Sequence, residues 1–294
     1  MCYQLVVVIL TYNEEVHIAR AINNVKNWAD KIIVLDSYST DKTVQIAESL
    51  DAEIIFRKFD NYQNQRQHAI EYCKNISEWM FFLDADEYLL EETKSEIKQE
   101  INQKNDVIGY YLSFRFIFME RWIKHGGYYP RYLLRLFKPE TAILHDEFNE
   151  HVTVTGPTAK LKGDLVDHRL KDIASWIDKH NTYATREALS LWRAKHQGRK
   201  TKKLNFLVQT ERKKWLRENV WNHLPLLLKS MMYFFYRYFI RLGFLDGRVG
   251  FIYHFLQSGW YYFLVDVKYI EMQMKRKNSV DRTHANDQPV LDSE

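Results

Sequence analysis

The chain has 294 residues, with 42 Lys and Arg against 38 Asp and Glu, a net charge of +4. At 46% hydrophobic and 27% charged residues it is neither disordered nor collagen-like, and it is long enough for one large domain or two modest ones. Cys2 and Cys73 are its only cysteines, which excludes a disulfide scaffold and a cysteine-based zinc site.

In chain order, Gln4–Leu10 is a short β-branched run that reads as a first strand. It has neither the preceding basic segment nor the following small-residue cleavage site of an export signal. Helical spacing follows over 14–27, then an apolar run at Lys31–Leu35 and helical spacing over 41–50. Glu53–Phe56 is a third predicted strand, Asn64–Asn75 a helix and Trp79–Leu83 a fourth strand. Strands that are apolar throughout and alternate with helices imply an α/β fold with a mostly parallel sheet covered on both faces. From Val107 to His168 the pattern turns strand-like, around Tyr110–Phe118, Tyr132–Phe137 and Val152–Thr155. Beyond Asp172 it reads as helices to about residue 272, followed by a polar tail. The expected division is 1–172, 173–272 and 273–294.

Parallel sheets bind ligands at the carboxyl ends of their strands. The segments there are Thr11-Tyr12-Asn13-Glu14-Glu15, Asp36-Ser37-Tyr38-Ser39-Thr40-Asp41 and Asp84-Ala85-Asp86-Glu87. None is a Gly-rich phosphate loop. Asp84 and Asp86 leave a buried strand two residues apart, and adjacent anions of this kind call for a cation. Hard carboxylate oxygens suit Mg²⁺ or Mn²⁺, which bind together with substrate phosphates. The bland reading of the same run is a cap on the helix starting near Glu91. Asp36 is placed to accept hydrogen bonds from a base or ribose, while Ser39 and Thr40 are candidate caps for the next helix.

The segments T-Y-N-E-E (11–15), W-A-D-K-I-I-V-L-D-S-Y-S-T-D-K-T (28–43) and W-M-F-F-L-D-A-D-E (79–87) resemble family 2 glycosyltransferases of the GT-A fold. The subgroup they resemble is the lipopolysaccharide-core β-glucosyltransferases. The likeness continues through R-L-F (135–137), N-E-H-V-T-V-T-G (149–156) and D-H (167–168). It implies an inverting transfer of a hexose, glucose in the first instance, from a UDP-sugar with a divalent metal. The implied acceptor is a lipid-linked glycan such as lipopolysaccharide inner core. Polyprenyl phosphate and a capsule or O-antigen intermediate are the alternative acceptors, and a non-catalytic scaffold of the same fold is the alternative class. By the same resemblance, Thr11, Tyr12 and Glu14 border the nucleotide pocket, Asp36 contacts uracil or ribose, and Arg66 neutralises the diphosphate. Asp86 is then the direct metal ligand, Asp84 lies nearer the ribose, and His168 stands near the metal or diphosphate. Tyr38 and Gln67 depart from the family, which usually has glycine and asparagine there.

Inversion needs a base for the acceptor hydroxyl. The resemblance selects Glu150, with Asn149 in place of the usual histidine; Glu147 and Asp146 are the fallbacks. Arg131 and Arg135 are candidates for a donor or acceptor phosphate, or else solvated strand residues.

Charge is unevenly spread. Residues 1–150 carry 17 basic and 24 acidic side chains, and residues 151–294 carry 25 and 14. Ten Lys and Arg lie within 193–217, and 16 aromatic residues lie within 221–269. On a helix over 224–242, Lys229, Ser230, Arg237 and Arg241 fall in one arc of about 120°, leaving a wide apolar face. This predicts an interfacial helix on an anionic membrane surface, with cations toward headgroups. The longest uncharged stretch, Val249–Val265, is too short and too polar to span a bilayer. The expected place is the cytoplasmic face of the inner membrane, held peripherally. A nucleic-acid partner is not expected, because the basic run carries no recognised binding motif. The bland alternative for the aromatic helices is mutual packing or a dimer interface.

Overall fold

In the computed structural model the described residues are 2–145, 151–196 and 225–286, and the chain divides into two units, Met1–Lys171 and Asp172–Glu294. The first unit begins with β1 (Tyr3–Thr11), α1 (Ile18–Val25), β2 (Lys31–Asp36), α2 (Thr43–Ser49), β3 (Glu53–Phe56), α3 (Tyr62–Lys74) and β4 (Ser77–Asp84). It continues with β5 (Glu87–Leu89), α4 (Glu91–Ile101), β6 (Gly109–Phe118), β7 (Arg121–Trp122), β8 (Tyr132–Phe137), β9 (Ala142–His145), β10 (His151–Val154) and β11 (Thr158–His168). The main sheet has the order β3-β2-β1-β4-β8-β6-β11-β5, with β7 on β6; β9 and β10 form a separate antiparallel ribbon. Neighbours β1–β2, β2–β3, β1–β4 and β6–β11 are parallel, while β8 and β5 run antiparallel to their neighbours.

The alternation along each strand builds two cores. Leu5, Val7 and Ile9 of β1 and Phe81 and Leu83 of β4 face one layer, where Ile18, Ala21, Ile22 and Val25 of α1 and Ile97 and Ile101 of α4 cover them. Val6, Val8, Met80 and Phe82 face the other, under Ala69, Ile70 and Cys73 of α3. Each fully buried aliphatic side chain contributes about 1.5–3 kcal/mol, which is why β1 and β4 are apolar on both faces. Helix α3 starts at Asn61, whose side chain accepts from Asn64 N at 2.8 Å. Asn24 of α1 exchanges two hydrogen bonds with the Leu89 backbone, at 2.8 and 2.9 Å, and so satisfies part of the exposed edge of β5. The α/β class with helices on both faces, followed by an aromatic helical region, is as expected.

The second unit contains α5 (Ile173–His196), α6 (Leu228–Phe235), α7 (Gly247–His254) and α8 (Tyr261–Asn286). Helix α6 passes into a π-helical turn at Tyr236–Ile240, and α7 into another at Phe255–Trp260. Ala184 and Ala188 of α5 pack on Tyr261, Val265 and Tyr269 of α8, the small residues letting the rings close in. Two expectations are corrected. Helix α8 runs to Asn286, well past residue 272, and the predicted single helix over 224–242 begins only at Leu228 and changes winding at Tyr236. The first half of the polar arc also faces inward, while Arg237 is half-buried and Arg241 exposed. Ser230 and Lys229 are buried, and Lys229 Nζ pairs with Asp266 Oδ1 at 2.6 Å. Exposed instead are Leu228, Met232, Phe235, Tyr236, Phe239 and Ile240. Most of the basic run 193–217 lies outside the described residues. Among the described residues no helix is long and apolar enough to cross a membrane.

Candidate active site

From β1 the chain steps to β2 and β3 on one side, then returns to β4 on the other. The crevice at the carboxyl ends of β1 and β4 is therefore the sheet's topological switch point, where open α/β sheets bind ligands. The registers Thr11↔Asp36 and Leu10↔Asp84 bring the ends of β2, β1 and β4 side by side. Three residues singled out from separate segments thus share one edge.

Asp36 is fully buried at that edge. Its carboxylate accepts from Thr11 Oγ1 at 2.8 Å, Ser39 N at 2.7 Å and Ser39 Oγ at 2.6 Å. Asn13 N donates to Ser39 Oγ at 2.8 Å, and Thr40 N donates to Asn13 Oδ1 at 2.8 Å. Ser39 and Thr40 therefore knit the loop after β2 to the loop after β1. They do not cap α2, whose N-cap position is Lys42. Gln65 of α3 extends this network, donating to Ser37 Oγ at 3.0 Å and accepting from Arg57 Nη1 at 2.7 Å.

Asp84, Glu87 and Arg135 form the second group. Arg135 Nη2 donates to Asp84 Oδ2 at 3.0 Å and to Glu87 Oε1 at 2.6 Å, while Asp84 N donates to Glu87 Oε2 at 2.9 Å. Burial pushes Glu87 well above the usual carboxylate range, with Arg135 pulling against it and Asp84 adding to the rise. Burial alone would lower Arg135; the two carboxylates outweigh it and raise the guanidinium further. The acidic run does not cap α4, whose N-cap is Leu90 with no side-chain bond. Arg131, expected on a strand, instead lies just before β8 and is exposed, with its guanidinium carbon 5.7 Å from the Phe114 ring centroid.

Asp86 lies in the tight turn between β4 and β5. Its carbonyl accepts from His168 N at 3.0 Å and from Arg20 Nη2 at 3.0 Å, and the same Nη2 reaches His168 O at 2.5 Å. Arg20 thus pins the turn to the end of β11. Nothing in the sequence reading marked it out, since a lone cation on an amphipathic helix reads as solvated. The Asp86 carboxylate takes no hydrogen bond among the described residues, while His168 Nε2 lies 3.0 Å from Glu120 Oε1. No three His, Cys, Asp or Glu among the described residues are grouped as a metal site, so Asp84, Asp86 and His168 are not assembled as a three-ligand set. The donors that fit a divalent cation are the hard oxygens of Asp86 with Asp84 beside it. That is the sparse protein share which Mg²⁺ takes when substrate phosphates supply the rest.

Glu14 pairs with His17 Nδ1 at 2.6 Å and with Lys171 Nζ at 2.9 Å. Fully buried His17 accepts Leu170 N on Nε2 at 2.8 Å, which makes Nδ1 the protonated nitrogen of the neutral ring. Burial would raise the Glu14 carboxyl, but its bonds to His17 and Lys171 hold it below the usual range. Glu14 therefore braces the β1 loop against the segment after β11. Tyr12 stands exposed on that loop, and Arg66 places its guanidinium carbon 5.6 Å from the ring centroid of Phe82, two residues before Asp84. Asp146, Glu147 and Glu150 lie outside the described residues.

An uncharacterized glycosyltransferase of Rickettsia felis is 30% identical over 289 residues, covering 94% of this chain and 93% of the relative. One from Rickettsia typhi is 31% identical over 285 residues, covering 92% and 88%. The lipopolysaccharide core biosynthesis glycosyltransferase LpsC of Rhizobium meliloti is 26% identical over 193 residues, covering 61% of this chain and 68% of that one. The description "Glycosyl transferase family 2" matches residues 6–161, which takes in every strand of the switch point. The chain belongs to glycosyl transferase family 2.

Proposed function

We propose that the protein is an inverting hexosyltransferase that moves a sugar, glucose in the leading reading, from a UDP-sugar to a lipid-linked glycan such as lipopolysaccharide inner core. The observation that carries this is the meeting of Thr11, Asp36 and Asp84 at the switch point, with the Asp86 carboxylate free of hydrogen bonds among the described residues. Family membership and the likeness to LpsC support it.

In the reaction the acceptor hydroxyl oxygen bonds to the anomeric carbon as that carbon's bond to the diphosphate oxygen breaks. The nucleoside diphosphate leaves with the electron pair, and a carboxylate takes the hydroxyl proton. That base is assigned to Glu150, with Glu147 and Asp146 as fallbacks, by family resemblance. Asp86, with Asp84, would hold Mg²⁺ or Mn²⁺, which when bound offsets charge on the leaving diphosphate. Arg135 fixes Asp84 in place. Arg66, beside β4, is the cation assigned to the diphosphate, and Thr11 and Tyr12 border the nucleoside. His168, whose backbone N donates to the Asp86 carbonyl, is assigned beside the metal or diphosphate by resemblance, and Arg131 is a candidate for a donor or acceptor phosphate. The exposed aromatic face of the second unit supports peripheral attachment to the cytoplasmic face of the inner membrane, where lipid-linked acceptors are presented.

The test is UDP-sugar hydrolysis or transfer across a set of UDP- and GDP-sugars, with Mn²⁺ and with EDTA. Turnover is expected with UDP-sugars and metal only. Asp86→Ala is expected to lose ~100-fold or more while keeping its thermal midpoint. Undiminished turnover in that variant removes Asp86 from the metal site.

A further inference from the structure

Two aromatic side chains at the outer corner of this edge stack on each other, stand half in solvent and have no part in the chemistry above. Phe56 ends β3 in register with Asp36 at the end of β2, and Tyr38 lies two residues beyond Asp36. Their rings are stacked, with centroids 5.5 Å apart and planes 30° from parallel, yet Tyr38 remains 58% and Phe56 48% exposed. Tyr38 sits at φ 64°, the left-handed region that glycine enters freely and a bulky residue rarely occupies. The loop holds it there through the bonds of Ser39 to Asp36 and of Asn13 to Ser39 and Thr40. The result is a two-ring aromatic stack, each ring about half exposed, at the strand end next to Asp36.

Of the residues assigned to the nucleoside, Thr11 is buried, Asp36 is fully buried with its carboxylate accepting three bonds from its own chain, and Tyr12 alone stands exposed. We propose that the Tyr38–Phe56 pair is the wall on which the donor's nucleobase stacks, and that it sets the affinity for the nucleoside. Strain at an exposed aromatic next to a ligand edge is retained when the ring has something to hold, and a planar heterocycle is what such a face holds best. The inference rests on the nucleotide-sugar reading above and extends it to two residues that the family resemblance does not supply, one of which stands where the family has glycine.

The experiment compares Tyr38→Gly, Tyr38→Phe and Phe56→Ala with the parent protein in Mn²⁺, measuring binding of UDP and of inorganic pyrophosphate by calorimetry. Tyr38→Gly suits the left-handed backbone, so its fold is retained. UDP is expected to bind about tenfold more weakly to Tyr38→Gly and Phe56→Ala, the loss of one base stack, and undiminished to Tyr38→Phe. Pyrophosphate, which has no base, is expected to bind all four proteins alike. Unchanged UDP affinity in both ring-removing variants overturns the proposal, as does a parallel loss of UDP and pyrophosphate, which marks a structural effect. If the parent protein binds none of UDP, GDP, CDP and ADP, the nucleotide-sugar reading itself falls and takes this inference with it.

Discussion

Two carboxylates share one guanidinium in the Asp84–Glu87–Arg135 group, and burial pushes Glu87 toward its neutral form, with Arg135 opposing the rise and Asp84 adding to it. Asp84 is the half-exposed member of the group, and in the proposed function it and Asp86 are the residues that would meet a divalent cation and a diphosphate. Glu14 shows the opposite balance, held below its ordinary 4.5 because His17 and Lys171 outweigh burial. Since its pKa is lower folded than unfolded, its stabilisation is complete above about pH 4.5 and is lost as pH falls through the folded value. Glu14→Gln is expected to lower unfolding stability at pH 7 by about 1–2 kcal/mol, the scale of a charge-assisted hydrogen bond. The gap to the parent should narrow in urea titrations below pH 4.5. A gap of constant size from pH 7 to about pH 3 would count against the ion-pair account. At this scale much of the site was legible. Thr11, Asp36, Asp84 and Asp86 follow strands whose apolar runs are unmistakable, and the strand ends tell where to look. Arg20, Gln65 and His17 were not legible, because Arg20 bonds to residues 66 and 148 positions away, Gln65 to one 28 away and His17 to one 153 away in sequence.

Among the elements, α6 is the instructive one. A helical wheel separates polar from apolar residues but does not say which side faces the protein. The side was assigned on the premise that charge faces water. Asp266 on α8 reverses it by giving Lys229 a buried partner, and Leu227 N adds a bond to Asp266 Oδ2 at 2.9 Å. Asp266→Ala leaves Lys229 buried without its counter-ion and is expected to destabilise the protein by about 3 kcal/mol or more, read by denaturant unfolding. The double variant Lys229→Met, Asp266→Leu is expected to recover most of that loss, because the uncompensated charge is then gone. No recovery would show that the pair fixes local geometry as well as charge. The strands of the first half follow their predicted ranges closely, since each carries its own burial pattern. The pairing of β11 with β6 in parallel and with β5 antiparallel could not be read, because nothing local encodes it.

For the whole molecule, the division of charge and aromatic content is the feature with the widest reach. Phe235 and Phe239 stack at 5.5 Å and stand 55% and 49% exposed. Phe251 and Phe255 stack at 6.2 Å and are exposed as well. Exposed apolar side chains in such number mark an interaction surface. The full chain is expected to float with vesicles containing anionic lipid, and less so as salt rises and screens its cations. Phe235→Ser with Phe239→Ser should weaken flotation several-fold while donor hydrolysis is unchanged. Equal flotation of the double variant would move the contact elsewhere.

Arg20 to His168, His17 to Leu170 and Asn13 to Lys171 join residues 148, 153 and 158 positions apart. Contacts of that span are entropically expensive to close, and little rewards them until the sheet between them exists. During synthesis the loop after β1 can be tied early to the loop after β2, through Asn13, Ser39 and Thr40, while its ties to residues 168–171 wait for nearly the whole first unit to emerge. A chain cut short before residue 168 keeps the first set of ties and lacks the second.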